Sequence, residues 1–170
     1  MSEFHKVNPE SLSDNVFRTI GKDWFLITAK DPTSGKINTM TASWGCLGIL
    51  WNKPVAVCFI RPQRYTLEFV NASERLSLSV LPEAYRDALR FCGTKSGRDC
   101  DKFKETGITP VFDENETPYV KEARLALLCK KLYVGELRES GFLDPALLEN
   151  YKEQDYHTVF ICEIETALER

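Results

Sequence analysis

Two short stretches hold the residues whose types and spacing could do chemistry. Read as an extended strand, Asn38-Thr39-Met40-Thr41-Ala42-Ser43-Trp44 puts Thr39, Thr41 and Ser43 on one face and Met40, Ala42 and Trp44 on the other, because strand side chains alternate. A row of small hydroxyls leaves the backbone approachable, so a planar polar ring could lie against it and bond to main-chain N–H groups and hydroxyl oxygens. The same residues would also suit a solvent-facing strand. The second stretch, Arg61-Pro62-Gln63-Arg64-Tyr65-Thr66, sets two guanidinium groups, a phenol and a hydroxyl directly after an apolar run. A loop there would turn into a helix. Arginine's planar fork suits phosphate oxygens, and a helix start offers free N–H donors to the same anion.

The elements that must position these groups read as mostly extended. Residues 24–29 form a strand, 31–36 are dense in turn formers, and 37–44 return antiparallel as a hairpin. Residues 54–60 are almost continuously apolar, as a strand buried on both faces would be. Helical spacing follows over 65–72, with Leu67 and Val70 on the buried side, then a strand over 74–81 closed by Pro82, and a second helix over 83–91. Cys92 to Arg98 is a polar, glycine-containing loop, and 101–106 one turn of helix stopped by Gly107. Residues 108–119 look irregular, with a solvated acidic tip at 113–116. Two long strands, 123–139 and 157–168, flank a helix-like 144–151, and residues 8–20 form a helical lead-in with Asp14 as cap and Gly21 as stop. Strands with short helices between them point to a mainly β barrel.

Composition narrows the classes. At 170 residues the chain is long enough for one well-buried domain and short for two, so residues 1–170 are expected to be a single domain. Its 43% apolar and 28% charged content is ordinary for a globular protein. Twenty-two basic residues against twenty-five acidic, net −3, leave no basic block for nucleic acid. A bound phosphate would therefore have to be held by local donors. No apolar run reaches spanning length and the start lacks a signal-peptide core, so a cytoplasmic protein without membrane contact is expected. Six scattered cysteines without a Cys-x-x-Cys pair read as reduced small hydrophobes, with Cys92 and Cys100 the pair to test for reactivity. Two histidines and no ligand spacing argue against a metal site, and neither Gly-x-Gly-x-x-Gly nor Gly-x-Ser-x-Gly occurs.

Taken in order, Asn38 to Trp44, Arg61 to Thr66, Ser96-Gly97-Arg98-Asp99 with Asp101-Lys102-Phe103, and His157 leading into Thr158-Val159-Phe160-Ile161 resemble the flavin reductase-like proteins of the FMN-binding split-barrel group, and among them the flavoredoxin-like branch. The resemblance spans most of the chain. It implies a mainly β, Greek-key split barrel with a few short peripheral helices, an FMN cofactor, and a homodimer. It also implies that Asn38, Thr39, Met40, Thr41, Ala42, Ser43 and Trp44 border the flavin ring and ribityl chain, with Thr41 and Ser43 as hydroxyl contacts. Arg61, Arg64 and Thr66 would serve the phosphate, with Ser96, Arg98 and Lys102 closing from the later loop, and Tyr65 would either stack near the ring or cover the helix start.

By the same resemblance His157 stands near the nicotinamide or flavin edge. In NAD(P)H-dependent relatives an aspartate often precedes that histidine, and here Tyr156 takes its place. Two functions therefore stay open. One is an NAD(P)H-dependent flavin reductase, with NAD(P)H as co-substrate, passing electrons from reduced FMN to a free flavin or a partner protein. The other is a flavoredoxin-like FMN electron carrier that does not use NAD(P)H directly. A split-barrel module that has lost flavin is a third, weaker reading.

Overall fold

The computed structural model describes residues 3–170. Ten strands carry the architecture: β1 (His5–Val7), β2 (Phe25–Lys30), β3 (Ile37–Ala42), β4 (Gly45–Leu50), β5 (Lys53–Ile60), β6 (Arg75–Val80), β7 (Pro110–Phe112), β8 (Pro118–Val120), β9 (Leu125–Glu136) and β10 (Thr158–Glu169). The helices are short: α1 (Val16–Arg18), α2 (Thr66–Ala72), α3 (Arg86–Thr94) and α4 (Lys102–Thr106).

One antiparallel sheet runs in the order β3-β2-β6-β9-β10-β5-β4, with β1 added beside the end of β10 and a separate β7–β8 hairpin. Its two edge strands, β3 and β4, are consecutive in the chain and joined by Ser43 and Trp44 alone. The sheet must therefore curl until its edges meet at that link. A Cβ on Gly45 would lie 3.1 Å from the Val57 carbonyl oxygen on β5 and 3.2 Å from the Phe25 ring on β2. The barrel is split because the meeting edges are joined by chain and not by a ladder.

Residues alternate between two cores. Phe25, Ile27, Ala29, Ile60, Leu76, Leu78 and Phe160 fill the barrel, while Leu26 turns outward and packs with Leu81, Leu89, Cys92 and Val120 beneath α3. Every position of β2 from Phe25 to Ala29 is thereby buried. α4 starts on an Asp101 cap, whose carboxylate accepts from the Phe103 and Lys104 N–H groups, and stops at Gly107 in the left-handed region.

Several expectations shift. The segment after Trp44 is strand β4, paired in register from Gly45–Cys58 to Leu50–Lys53 around a two-residue turn at Trp51 and Asn52, both at positive φ. Residues 108–119 contain the β7–β8 hairpin. Asn15, not Asp14, caps α1, while Asp14 instead pairs with Arg124, and the chain passes Gly21 in a π-type turn ending at Asp23. Cys92 to Thr94 belong to α3, which extends the helix past the expected end.

Candidate functional site

β3 is an edge strand, so its main-chain groups on the side away from β2 have no strand partner. Two side chains from elsewhere come to that side. Lys102, the first residue of α4, donates from Nζ to the Thr39 carbonyl oxygen at 2.8 Å and to the Cys92 carbonyl oxygen at 2.9 Å. Arg64, in the turn before α2, donates to the Gly93 carbonyl oxygen at 2.7 Å and to that of Cys92 at 3.4 Å. Both cations thus sit on the C-terminal turn of α3, where the helix dipole is negative.

Neither cation has a carboxylate partner among the described residues. Lys102 is 4% exposed, and burial, reinforced by Arg64, pulls its pKa down to about 8. Burial also lowers the pKa of Arg64. The Cys92 thiol is no counter-ion, because its own burial pushes it up to about 11. Lys102 is buried and Arg64 half-buried, and the hydrogen bonds of both run to neutral carbonyls, an arrangement that an anion could complement.

Two cavities flank these cations. The larger, about 650 Å³, is bordered by Asn38, Tyr65, Gly97, Arg98 and Lys102. The smaller, about 210 Å³, opens where the sheet edges meet and is bordered by Met40 to Trp44, Phe59, Arg61, Arg64 and His157. Lys102 borders the larger cavity and Arg64 the smaller, and both donate to the Cys92 carbonyl.

The expected residues do converge here, but their engagements differ. The Thr39 hydroxyl bonds to the Ile27 carbonyl and to the Thr28 hydroxyl, and Thr41 donates to the Leu89 carbonyl. The hydroxyl row therefore ties β3 to β2 and α3, and the exposed Ser43 is the member whose hydroxyl has no protein partner among the described residues. Asn38 is buried and donates from Nδ2 to the Thr66 hydroxyl at 3.0 Å. A Cβ at Gly97 would come within 2.2 Å of Asn38 Oδ1, so the loop can approach β3 this closely only with glycine there. The Ser96 hydroxyl accepts from the Arg98 N–H, closing a local turn.

Arg61 and Arg98 are not free for an anion. Arg61 pairs with Asp155 and donates to the Asn150 carbonyl at 2.8 Å, and Arg98 pairs with Glu68 while lying over the Tyr65 ring. Tyr65 itself packs edge-on against Phe69. Sequence reasoning could not separate these arginines from Arg64, because Asp155 is 94 positions from Arg61.

His157 is 5% exposed, with the half-exposed Trp44 ring 5.4 Å away and Phe59 edge-on at 6.3 Å. Burial, with Arg61 next, drops its pKa to about 4, so the imidazole is neutral at neutral pH. Its Nδ1 is 2.8 Å from the Tyr151 hydroxyl, a partner that the sequence reading missed. Among the described residues, no three His, Cys, Asp or Glu side chains gather as metal ligands, and no helix is long and apolar enough to cross a membrane.

Comparison with known proteins identifies the family and the fold. The model of the flavin reductase like domain matches residues 17–170. Among solved structures, the chain is similar to an FMN-binding domain of a flavin reductases-like enzyme from Shewanella baltica (19% identity, TM-score 0.71, 98% of this chain and 77% of that one). It is similar to a flavoredoxin of Desulfovibrio vulgaris (25% identity, TM-score 0.67, 92% and 74%). It also resembles an NADH:FAD oxidoreductase of Streptomyces globisporus in complex with NAD and FAD fragments (19%, 0.63, 85% and 73%). No curated protein matches its sequence.

Proposed function

The chain belongs to the flavin reductase-like family and has the FMN-binding split-barrel fold, and from that premise we propose that it is a cytoplasmic FMN-dependent oxidoreductase that takes reducing equivalents from NAD(P)H and passes them to a free flavin or a partner protein. The observation that carries the reading is the pair of the half-buried Arg64 and the buried Lys102, which meet at the Cys92 carbonyl beside the unpartnered edge of β3 and have no carboxylate partner among the described residues. The donor set fits FMN. Arg64 and Lys102 would hold the phosphate, with the Thr66 hydroxyl and the α2 N-terminus beside them. Ser43 and the main-chain N–H groups of Met40 to Trp44 would border the ring and ribityl chain.

When bound, FMN supplies a ring that accepts a hydride and releases electrons to a second acceptor. The chain's own part is to bind, orient and shield. Edge-strand N–H groups stabilise negative charge near them without reorganising. Trp44 and Phe59 narrow the smaller cavity against water, and His157 offers an uncharged polar group within it.

We assign the active form as a homodimer. β4 is the other free edge of the sheet, and it carries Ile49 and, at its turn, Trp51, 62% and 55% exposed. Together with Leu50 they make an apolar edge that a second copy would cover.

The second reading, an FMN carrier without nicotinamide chemistry, is favoured by Tyr156 standing where NAD(P)H-dependent relatives often have an aspartate. Anaerobic mixing decides between them. Loaded protein that bleaches within seconds of adding NADH or NADPH is the reductase, whereas protein that stays yellow with both is the carrier.

A further inference from the structure

The Tyr151 hydroxyl is 2.8 Å from His157 Nδ1, its one hydrogen bond among the described residues. Tyr151 is 7% exposed and closes the seven-residue 3-10 segment Pro145–Tyr151, packed edge-on to the imidazole at 5.5 Å. Its ring also lies 5.2 Å under the Arg61 guanidinium, which Asp155 holds in place. Nothing in the fold needs a phenol here: Tyr151 fills its space by contact with Phe142, Tyr156 and the imidazole, and phenylalanine would fill the same volume.

The direction of the hydrogen bond follows from satisfying both groups. Were Nδ1–H the donor, the phenol proton would be left without an acceptor in a buried position, at the cost of an unmade bond. With the phenol donating, only an oxygen lone pair is left over. Burial raises the pKa of Tyr151 overall, so the proton is present to be donated, while the Arg61 charge makes the O–H a stronger donor.

We propose that Tyr151 is a positioning residue that holds His157 as the neutral Nε2–H tautomer, so that the smaller cavity contains a fixed hydrogen-bond donor for the carbonyl oxygen of an incoming ligand such as a carboxamide. Nε2 has no protein partner among the described residues. His157 itself borders the smaller cavity. Trp44 and Phe59 give the cavity aromatic borders, while Thr41, Ser43, Arg61 and Arg64 border it with polar groups, a mix that suits a planar ring bearing polar substituents. Tyr151 here does what a carboxylate does in many His pairs, without adding negative charge.

The tautomer assignment stands without flavin, and the carboxamide role rests on the reductase reading. The test is therefore made in two parts. With His5 as the one other histidine, ¹⁵N-histidine NMR of the flavin-free protein should show His157 with a protonated Nε2 and an unprotonated Nδ1 from pH 6 to 8. In Tyr151→Phe, both nitrogens should move toward the values of a tautomer mixture. A wild-type spectrum with Nδ1 protonated, or one that Tyr151→Phe leaves unchanged, overturns the assignment. In the FMN-loaded enzyme, Tyr151→Phe should raise KM for NAD(P)H about tenfold, with FMN affinity unchanged. An unchanged KM alongside the expected NMR shift would remove the ligand role. Absence of any reduction by NAD(P)H in the wild type would instead fail the reductase reading and leave the tautomer result standing.

Discussion

Lys102 and Arg64 donate to the same carbonyl oxygen, that of Cys92, at 2.9 and 3.4 Å. Two cations sharing one neutral acceptor repel each other, and the last turn of α3 offsets only part of that through its dipole. The free protein therefore carries an unfavourable arrangement that a bound anion would relieve.

The Lys102 pKa gives this a pH signature. Its folded value of about 8 lies below its ordinary 10.5. Below pH 8 the side chain is charged in both states and the burial cost is carried in full. Between about 8 and 10.5 the unfolded chain keeps the proton that the folded one has released, so flavin-free stability rises with pH in this window. Lys102→Met should raise the Tm of the flavin-free protein at pH 7, yet weaken FMN binding by about tenfold or more, the scale of a charge-assisted bond. Wild-type affinity should also fall above pH 8, and the Met variant should lack that fall in a fluorescence titration. Equal FMN affinity in both proteins would take Lys102 out of the site.

The arginines should separate by their partners. Arg64→Ala should weaken FMN binding by ~1.5–3 kcal/mol. Arg98→Ala removes a side chain already paired with Glu68 at the surface, and should cost less than ~0.5 kcal/mol. Calorimetric titration of FMN into each variant checks the order, and the reverse order would move the anion to the larger cavity's rim.

His157 has a folded pKa of about 4 against an ordinary 6.5. Above pH 6.5 it is neutral in both states. As pH falls from 6.5 to 4 the unfolded chain takes up a proton that the folded chain refuses, so stability drops across that interval. The Tm loss between pH 7 and 5 should be smaller in His157→Gln than in the wild type. In stopped flow, His157→Ala should slow reduction by NAD(P)H more than it changes FMN affinity, and the wild-type rate should show no inflection near pH 6.5. An inflection there would mean that the imidazole titrates as an exposed one.

The apolar edge of β4 gives the dimer its test. Ile49→Glu places a charge at a position 62% exposed in the single chain, so it should leave the monomer's Tm within about 2 °C while shifting sedimentation from dimer to monomer. A wild type that sediments as a monomer at micromolar concentration would remove the proposal.

Much of this arrangement was legible in the sequence because the informative groups are local. Arg64 and Thr66 stand at a helix start, and Asn38 to Ala42 at the second arm of a hairpin. The exceptions have physical reasons. Gly45-Cys46-Leu47-Gly48-Ile49-Leu50 hides a strand because its outward face is apolar, so no polar alternation marks it. Thr39 and Thr41 look like ligand contacts until the fold turns the first hydroxyl onto β2 and the second onto α3. Arg61 looks like an anion holder until the chain brings Asp155 back across 94 positions, and no local pattern shows such a return. Tyr151, by contrast, lies only six positions before His157, in an irregular stretch that has no periodicity to mark the pair.

The turn between β4 and β5 shows where this chain accepts poor local geometry. Trp51 and Asn52 have φ of 52° and 57°, a left-handed pair in which asparagine followed by glycine would sit at ease and a bulky ring costs on the order of 1 kcal/mol. An indole kept at so awkward a hairpin tip gives up ease of folding in return for what the ring touches. Trp51→Asn should therefore fold faster as a lone chain and associate less well, trading sociability for self-sufficiency.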